Sequence, residues 1–407
     1  MRIGMILLKN FPPDIRVEKE IRSLIKEGHE IFLLCYSENE LKDEEGIINN
    51  VRVRWIRRVK DVLSIPIRQL NSLRFYLTFY NNYIANKIIS FVEDFNIQIL
   101  HVHDLPPLGT TVSVGSYLNC PIIADLHENY PAVLKLIYKD KKSFDSVFAM
   151  NTKRWSFYER NVLHKVKHII VVVDEAKNRL IEQHKLKAAN ITVIMNLEDV
   201  EYFSQFKYDP SVLEHYKSNF IISYVGGGGE HRGLDTAIHS LKYLKDKIGN
   251  VLLLLVGLKD FEYTELIKKA EKEGVKGQVE IINWQPFRKI PSYIRVSDVC
   301  LIPHKKNPHT DNTIPHKLFQ YMLMGKPVVV SNCQPLERIV KNTGCGIVFN
   351  SGNSKELANS ILLLYNNPEL REEYGISGRE AVYSRYNWEL ESKKLTSLYN
   401  SLRDKSE

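Results

Sequence analysis

Short apolar runs alternate with amphipathic helical patterns along most of the 407-residue chain, and this alternation constrains the fold more than any other feature. The first runs lie at residues 3–8 and 30–35, with a helical pattern between them. A similar series begins again at Phe220–Val225. Such alternation is typical of parallel strands joined by crossover helices. The sequence therefore predicts an α/β protein with two doubly wound, Rossmann-like domains.

The two predicted domains are separated by a polar, strand-free stretch at residues 198–218. We predict a first domain at residues 1–198, a second at residues 199–384, and a C-terminal helix at about residues 385–407. Ligands of doubly wound sheets bind beyond the carboxyl ends of the strands. We therefore expect the two domains to face each other across a cleft that holds the active site.

The composition, 44% hydrophobic and 26% charged, is ordinary for a soluble globular protein. No apolar run approaches the roughly 20 residues that a membrane-spanning helix needs. The five cysteines include no closely spaced pair, and their odd number argues against both a disulfide framework and a zinc motif. A reducing environment suits such a chain, so we predict a cytoplasmic location.

Basic residues are concentrated in two stretches, at residues 52–74 and 135–167, within a net charge of +8. Nucleic acid, anionic lipid or an acidic substrate would each attract this charge, although most such runs are solvated faces. Residues 52–91 also carry many aliphatic and aromatic side chains. We therefore predict reversible attachment to the anionic inner face of the cell membrane, and no nucleic-acid partner. A buried helical insertion with a basic face is the alternative.

A glycine-rich turn follows the predicted strand Phe220–Val225, where four consecutive glycines precede Arg232 and a helical pattern. Glycines let the backbone amides approach an anion, a helix start adds positive potential, and an arginine can bind phosphate with two hydrogen bonds. This order predicts a phosphate site with contacts from Gly227, Gly228 and Gly229. It is not a P-loop, because no Gly-Lys-Ser/Thr follows. A flexible tight turn is the alternative.

The segment at residues 313–330, TIPHKLFQYMLMGKPVVV, predicts a loop, a helix that begins near Lys317, a stop at Gly325 and a buried strand. A plain helix packed on a strand explains Leu318 and Phe319. It does not explain the Pro-His-Lys sequence at the helix start, which we expect to lie in the active site. Trp284, just beyond another predicted strand, either borders a nucleotide base or belongs to the core.

These two segments resemble the donor-binding segments of retaining glycosyltransferases of family 4, which have the GT-B fold and are also described as glycosyl transferases group 1. The resemblance implies a nucleotide-sugar donor, a glycan or lipid-linked acceptor, and no cofactor or metal. It also implies that Arg232 neutralises the donor pyrophosphate. The second cation of the family falls here among glycines and Glu230, so we assign that role to Lys317.

In family 4, two glutamates separated by seven residues contact the donor, and the matching positions here are Asn312 and Gln320. The resemblance implies that Gln320 binds the ribose hydroxyls and that Asn312 contacts the sugar or phosphate, with Thr313 and Ile314 beside them. An amide can bond a diol, although it lacks the charge of a carboxylate. We therefore expect Gln320→Glu to bind donor at least as well. Tuning of the site and loss of catalysis both remain open.

Two segments of the first half, ILHVHD at residues 99–104 and IIADLHENYP at residues 122–131, resemble family-4 segments as well. The resemblance implies that His127 contacts the donor sugar and that His101 is structural. A metal site built from His101, His103, Asp104 and His127 would instead indicate a metal-dependent hydrolase. We predict no metal.

The resemblance finally implies the division of labour between the domains. The first would be the acceptor side, completed by the C-terminal helix, and the second would bind the nucleotide-sugar. The predicted function is retaining, metal-independent hexosyl transfer in the synthesis of cell-surface polysaccharides or glycoconjugates. The alternative is a catalytically weak sugar-nucleotide-binding subunit of a polysaccharide assembly complex.

Overall fold

The computed structural model describes most of the chain, namely residues 1–37, 43–58, 73–138 and 151–403. The chain forms two compact units, one of Met1–Met195 with Ser392–Glu407 and the other of Asn196–Glu391. Both are α/β units with mainly parallel sheets, so the predicted fold class is confirmed. The stretch at residues 198–218 is not a bare linker, because it lies in the second unit and contains two short helices.

The first unit is built on an eight-stranded sheet with the order β3-β4-β2-β1-β5-β6-β7-β8. Only β3 is antiparallel to its neighbour, β4. The strand order reverses at β1, which lies between β2 and β5. The strands are β1 (Arg2–Asn10), β2 (Glu30–Tyr36), β3 (Glu44–Ile48), β4 (Val51–Ile56), β5 (Ile99–His103), β6 (Ile122–Leu126), β7 (His168–Val171) and β8 (Ile191–Val193).

Helices cover the sheet of the first unit, and α1 illustrates why they form. The Asp14 side chain accepts a hydrogen bond from the Val17 amide and caps the helix start, while Ile21 and Leu24 are buried one turn apart. The helix ends before Gly28, at a φ of 81°. The helices are α1 (Ile15–Lys26), α2 (Asn82–Asp94), α3 (Leu108–Leu118), α4 (Tyr130–Tyr138), α5 (Thr152–Leu163) and α6 (Asp174–His184).

The second unit contains a six-stranded parallel sheet with the order β11-β10-β9-β12-β13-β14. Its strand order reverses at β9, between β10 and β12, and a crevice at the carboxyl ends of such strands is where ligands of this topology bind. Nearly every residue of β9, β12 and β13 is buried, which explains their continuous apolar sequences. The strands are β9 (Phe220–Val225), β10 (Val251–Leu258), β11 (Val279–Asn283), β12 (Val299–Ile302), β13 (Val328–Ser331) and β14 (Gly346–Phe349).

The helices of the second unit include α9, which is short because the chain tightens into a 3-10 turn at Leu241–Tyr243. The last helix, α16, begins in the second unit and continues into residues that belong to the first. The helices are α7 (Val200–Ser204), α8 (Pro210–His215), α9 (Leu234–Ser240), α10 (Asp260–Lys272), α11 (Ile290–Arg295), α12 (Lys317–Leu323), α13 (Gln334–Thr343), α14 (Ser354–Asn366), α15 (Pro368–Ser384) and α16 (Trp388–Arg403).

The segment predicted to touch membranes is only partly described, because residues 59–72 lie outside the described chain. Within the described part, Arg54 bonds the carboxylates of Glu45 and Asp94, and Phe79 is buried against Tyr158. These contacts favour the alternative of a packed segment with a basic face. In the part of the chain that the structure describes, no helix is both long and apolar enough to span a membrane.

Candidate active site

The glycine-rich turn after β9 adopts backbone conformations that require glycine. The φ angles are 135° at Gly226, 115° at Gly229 and 66° at Gly233. A Cβ atom at Gly226 would lie 2.5 Å from the Lys317 Nζ atom, and one at Gly233 would collide with the Pro303 carbonyl. The turn therefore keeps its glycines both for conformation and for close approach to the two segments that surround it.

Arg232 lies on this turn, in a short 3-10 helix that precedes α9. Its guanidinium donates to His304 Nε2 over 3.2 Å, and His304 follows β12 by two residues. The Arg232 Nε atom is buried and has no hydrogen-bond partner among the described residues. The guanidinium is thus oriented by one neutral acceptor while it keeps donors for an anion.

Lys317 begins α12 and brings a second cation to the same place. Its Nζ atom is buried, lies 3.3 Å from the centroid of the Tyr224 ring, and has no hydrogen-bond partner within the described chain. Burial first, and the charge of Arg232 next, hold the pKa of Lys317 well below its usual range. A buried ammonium without a counterion is costly, and an anion bound at the turn would remove that cost.

Three histidines surround the two cations, and the sequence analysis assigned no role to any of them. Burial and the charge of Arg232 lower the pKa of His231 to about 3 and that of His309 to about 4. Burial, Arg232 and Lys317 hold the pKa of His304 well below its usual range. The three rings are therefore neutral near pH 7 and add no positive charge. The sequence signal that could have identified them is their position in the loops that follow β9 and β12.

Asn312 lies in a short turn ahead of α12, where its Nδ2 donates to the Pro308 carbonyl over 2.8 Å. Its Oδ1 atom is buried without a hydrogen-bond partner among the residues described. The hydrogen bond to Pro308 orients the amide and leaves its Oδ1 atom to accept a hydrogen bond from a ligand. The next two predicted donor-site residues differ in exposure, since Thr313 is extended and partly exposed whereas Ile314 is buried.

Gln320 is buried, and its side chain already makes a hydrogen bond within the second unit. It is 6% exposed, and its Nε2 donates to the Glu198 Oε2 over 2.7 Å. Leu318, Phe319 and the other residues of α12 after Lys317 are also buried, so little of the Gln320 side chain reaches solvent. Sequence reasoning missed Glu198, because it stands 122 positions away in the stretch taken as a linker.

The remaining donor-site predictions concern Gly228 and Trp284. A Cβ atom at Gly228 would collide with the Glu262 carboxylate, whereas the space around Gly227 is open. Trp284 follows β11 and is 73% exposed, so the alternative that it is a core residue is wrong. No described contact links Trp284 to the turn, and its place at a nucleotide base stays a prediction.

In the first unit, three histidines converge on the Asp125 carboxylate at the end of β6. Asp125 Oδ2 lies 3.3 Å from His101 Nε2, 3.1 Å from His103 Nδ1 and 2.5 Å from His127 Nε2. Burial alone would raise the pKa of Asp125, but His127 and the hydrogen bonds from His101 and His103 hold it well below its usual range. The carboxylate is therefore charged and shared by the three rings.

A second carboxylate, that of Asp104, also belongs to this cluster. The second ring nitrogen of His127 lies 3.4 Å from Asp104 Oδ1, and Asp104 pairs with Lys9 at 2.7 Å. Although burial opposes ionisation, His127, Lys9 and Arg16 lower the pKa of Asp104 to about 2. His101 bonds the Tyr399 hydroxyl over 2.7 Å, which makes it a bonded, buried histidine.

One group in this cluster has the composition of a metal site, and it differs from the predicted set by containing Glu20 and Asp125 in place of Asp104 and His127. One ligand atom from each of Glu20, His101, His103 and Asp125 lies within 4.8 Å of the others. Burial first, and Asp125 next, raise the pKa of Glu20 well above its usual range. The four residues therefore have the composition of a metal site, and the expectation of no metal stays a prediction.

A cavity of about 380 Å³ opens beside this cluster, at the carboxyl ends of β1 and β5. Its polar lining includes Lys9, His103 and Asp104. Three of its other lining residues are aromatic, namely Tyr36, Phe75 and Tyr130. Concave sites with apolar walls and a few polar groups are typical of small-molecule binding.

Two family models match the chain, and between them they span most of it. The model described as Glycosyltransferase Family 4 matches residues 15–202, and the one described as Glycosyl transferases group 1 matches residues 206–381. The chain belongs to the family-4 glycosyltransferases. The predicted family is thereby confirmed.

Two relatives of this glycosyltransferase differ in coverage. The capsular polysaccharide biosynthesis glycosyltransferase CapM of Staphylococcus aureus is 24% identical over 245 residues, which are 59% of this chain and 63% of CapM. The phosphatidyl-myo-inositol mannosyltransferase of Mycobacterium leprae is 21% identical over 407 residues, 99% of this chain and 97% of that protein.

A solved structure supports the same fold. The structure of Anabaena Alr3699/HepE in complex with UDP matches with a TM-score of 0.73 and 14% sequence identity, over 98% of this chain and 100% of that one. At this identity the likeness establishes the GT-B fold alone.

The second unit of the glycosyltransferase thus brings the glycine turn, Arg232 and Lys317 into contact, with Asn312 and Gln320 on the segment around α12. His127 belongs to the separate cluster of the first unit. Its ring nitrogens lie next to carboxylates, and no described contact tests its predicted place at the donor sugar.

Proposed function

We propose that this glycosyltransferase moves a sugar from a nucleotide-sugar donor to a glycan or lipid-linked acceptor, with retention of the anomeric configuration and without a metal ion. The acceptors we propose belong to cell-surface polysaccharide or glycoconjugate synthesis. The names of the Staphylococcus and Mycobacterium relatives support this class of acceptor. The UDP bound to the Anabaena protein makes UDP the first nucleotide to test.

The observation that carries the proposal is the unpaired positive charge at the glycine turn. Lys317 Nζ and Arg232 Nε are both buried without hydrogen-bond partners in the described chain. Two phosphates of a nucleoside diphosphate would give each cation an acceptor, and the amides of the open turn at Gly227 would add neutral donors. Fixed positive charge at this place also favours departure of the diphosphate, because charge develops there in the transition state.

The chemistry proposed for the second unit needs little covalent participation by the protein. The leaving phosphate takes the proton of the acceptor hydroxyl, and the enzyme holds the reacting groups in place. In the first unit, we propose that the cavity beside Lys9 and Asp104 receives the acceptor. Its ionised Asp104 supplies a fixed hydrogen-bond acceptor for a hydroxyl group.

Nucleotide binding tests the donor site directly. We expect UDP, ADP or GDP to raise the unfolding temperature, since ligand at about 100 times its Kd adds about 2.7 kcal/mol of apparent stability. The corresponding nucleosides, which lack phosphate, should have little effect. Titration calorimetry of Arg232→Ala against Arg288→Ala, a change at an exposed arginine, locates the site. Absence of binding by every diphosphate would end the proposal.

Metal independence has its own test. We expect transfer to continue after dialysis against EDTA, because the fixed cations at the turn take the part of a divalent ion. Elemental analysis of the purified protein runs alongside, since Glu20, His101, His103 and Asp125 have the composition of a metal site. Loss of transfer in EDTA, with recovery on addition of a divalent ion, would contradict this part of the proposal.

The second candidate is a catalytically weak sugar-nucleotide-binding subunit, which is favoured by the amides at Asn312 and Gln320. Both candidates predict nucleotide binding, so slow hydrolysis of UDP-sugars separates them. An enzyme should release UDP above the rate of its own Arg232→Ala variant, whereas a binding subunit should not.

Membrane attachment is proposed for the first unit as a separate property. Co-sedimentation with vesicles of anionic phospholipid at low salt should retain the protein, and vesicles of neutral phosphatidylcholine should not. Equal amounts of protein in the supernatants of the anionic and the neutral vesicles would contradict membrane attachment.

A further inference from the structure

Glu198 is a buried carboxylate beside the proposed donor site, and no sequence pattern assigned it a role. Its side chain is 1% exposed. Its Oε2 atom accepts from Gln320 Nε2 over 2.7 Å and lies 3.2 Å from His316 Nε2. Its Oε1 atom accepts from the backbone amide of Asp199 over 3.1 Å. The carboxylate is thus surrounded by nitrogen atoms.

The backbone holds this carboxylate in place. Glu198 pairs with Asn387 as an isolated parallel bridge, and the Trp388 amide donates to the Glu198 carbonyl over 2.8 Å. The next residue, Asp199, caps the start of α7. With its backbone held by these bonds, Glu198 cannot easily move away from Gln320.

The contact decides which atom of the Gln320 amide remains available. Because Nε2 donates to Glu198, the Oε1 atom is the group left for a ligand. Within the described chain this is the one hydrogen bond of the Gln320 side chain. A carboxylate that accepts from an amide N–H also polarises the amide, and hydrogen bonds linked in this way strengthen one another.

We propose that Glu198 is a positioning residue for donor binding, which orients Gln320 so that its Oε1 accepts a hydrogen bond from a donor ribose hydroxyl. The inference rests on the proposed function. Glu198 also supplies, behind the amide, the negative charge that Gln320 lacks. The site therefore keeps one carboxylate at this place and carries it on a different segment.

This arrangement reverses the expectation for Gln320→Glu. In the wild-type protein the two side chains are a donor and an acceptor, 2.7 Å apart. With glutamate at both positions, two carboxylates would share a buried space, and one of them would have to take up a proton or move. The variant should therefore bind nucleotide more weakly than the wild type, not as well or better.

Exchange of the two residues is the decisive variant. Glu198→Gln combined with Gln320→Glu restores one amide and one carboxylate, with the carboxylate now nearer the ligand. UDP affinity is measured by titration calorimetry for the wild type, both single variants and the exchanged pair. Glu214→Gln and Gln278→Glu, made in the same unit away from α12, are the matched controls.

We expect Gln320→Glu to weaken UDP binding by about tenfold or more, the scale of loss when a buried group meets an unsuitable partner. Glu198→Gln should weaken it by about threefold, because an amide oxygen still accepts from Gln320 without the charge. The exchanged pair should return to within about threefold of the wild type.

Two further readouts separate positioning from a structural role. The affinity of Gln320→Glu relative to wild type should rise as the pH falls, because a proton then bridges the two carboxylates. Unfolding temperatures without nucleotide report any purely structural effect. A role in stability alone would lower those temperatures and leave the UDP affinity of the folded variants unchanged, which would overturn the inference.

Failure of the inference and failure of the proposed function give different results. If the wild type binds UDP and the exchanged pair binds no better than Gln320→Glu, Glu198 does not position Gln320 for the donor. If the wild type binds no nucleoside diphosphate at all, the donor site itself is disproved.

Discussion

Each unit of the protein holds three histidines in a buried cluster at the ends of its strands, and the two clusters have opposite surroundings. In the first unit, His101, His103 and His127 converge on Asp125. In the second unit, His231, His304 and His309 surround Arg232 and Lys317. Arg232 lowers the pKa of all three rings, and Lys317 lowers the pKa of His231 and His304. The same residue type thus occurs in an acidic and in a basic setting.

The difference lies in what each cluster lacks. The first contains a counter-charge for its histidines, because the Asp125 carboxylate lies within 3.3 Å of all three rings. The second holds two cations with unpaired donors and contains no described carboxylate in contact with either of them. A cluster that balances itself stabilises the fold, whereas a cluster with unbalanced charge reduces stability until a ligand arrives. The comparison predicts that changes in the two clusters affect different measurements.

The largest expected effect is on the free energy of unfolding, for a substitution in the acidic cluster, which consists of Asp125 with His101, His103 and His127. Asp125→Asn removes the charge that three rings share, and breaking a buried pair in this way costs about 3–5 kcal/mol in the free energy of unfolding. Denaturation with urea measures it. The control is Asp94→Asn, an exposed partner of Arg54, which should change stability by less than about 1 kcal/mol. Equal losses in the two variants would show that the cluster is not balanced as described.

The next effect is on turnover, in the basic cluster. Arg232→Ala should lower kcat/KM by about 2–4 kcal/mol in transition-state free energy, because the guanidinium stabilises the departing diphosphate. Its unfolding free energy should not fall below that of the wild type, because an unbalanced buried cation is removed, whereas Arg288→Ala should change neither quantity. An unchanged kcat/KM would remove Arg232 from the site.

A smaller effect of opposite sign is expected at Lys317. Lys317→Met removes a buried cation that has no counterion or hydrogen-bond partner in the described chain, so it should stabilise the free protein by about 1–2 kcal/mol and weaken UDP binding. Lys341→Met is the control, because Lys341 pairs with Glu337 on the surface of α13. A destabilised Lys317→Met variant would mean that the contact with the Tyr224 ring outweighs the cost of burying the ammonium.

The last expected effect is a pH dependence of stability, which develops gradually over about two pH units. The folded-state pKa values of His231 and His309 are lowered to about 3 and about 4, while the unfolded values stay near 6.5. Below pH 6.5 the unfolded chain binds more protons, so each histidine lowers the unfolding free energy by up to about 1.4 kcal/mol per pH unit. His309→Asn should show a shallower loss between pH 6.5 and 4.5 than the wild type. Parallel curves would contradict the neutral state of His309.

The parallel sheets followed from the sequence, because strands buried on both faces must be continuous apolar runs. Phe220–Val225 has the predicted bounds. The pair β3 and β4 was missed, since these strands lie at an edge of the sheet and their burial alternates. Edge strands give a weaker hydrophobic signal than central ones.

Within the candidate site, sequence reasoning located residues that share a short motif. Arg232 and the glycines occupy one turn, so their proximity is a local property. The Glu198–Gln320 contact and the approach of His304 to Arg232 join segments more than 70 positions apart, and only the folded topology brings such residues together. Without related sequences to compare, no spacing rule could have found them.

The place of Tyr399 has a consequence for how the protein is made. Its side chain is fully buried in the first unit, where the hydroxyl bonds His101 from 298 positions away. During synthesis from the N-terminus, the ribosome must therefore complete the whole second unit before the first can close its core. The early part of the chain emerges with His101 uncovered, so the synthesis of Tyr399, and not the folding of residues 1–195, sets the earliest moment at which the acidic cluster is complete.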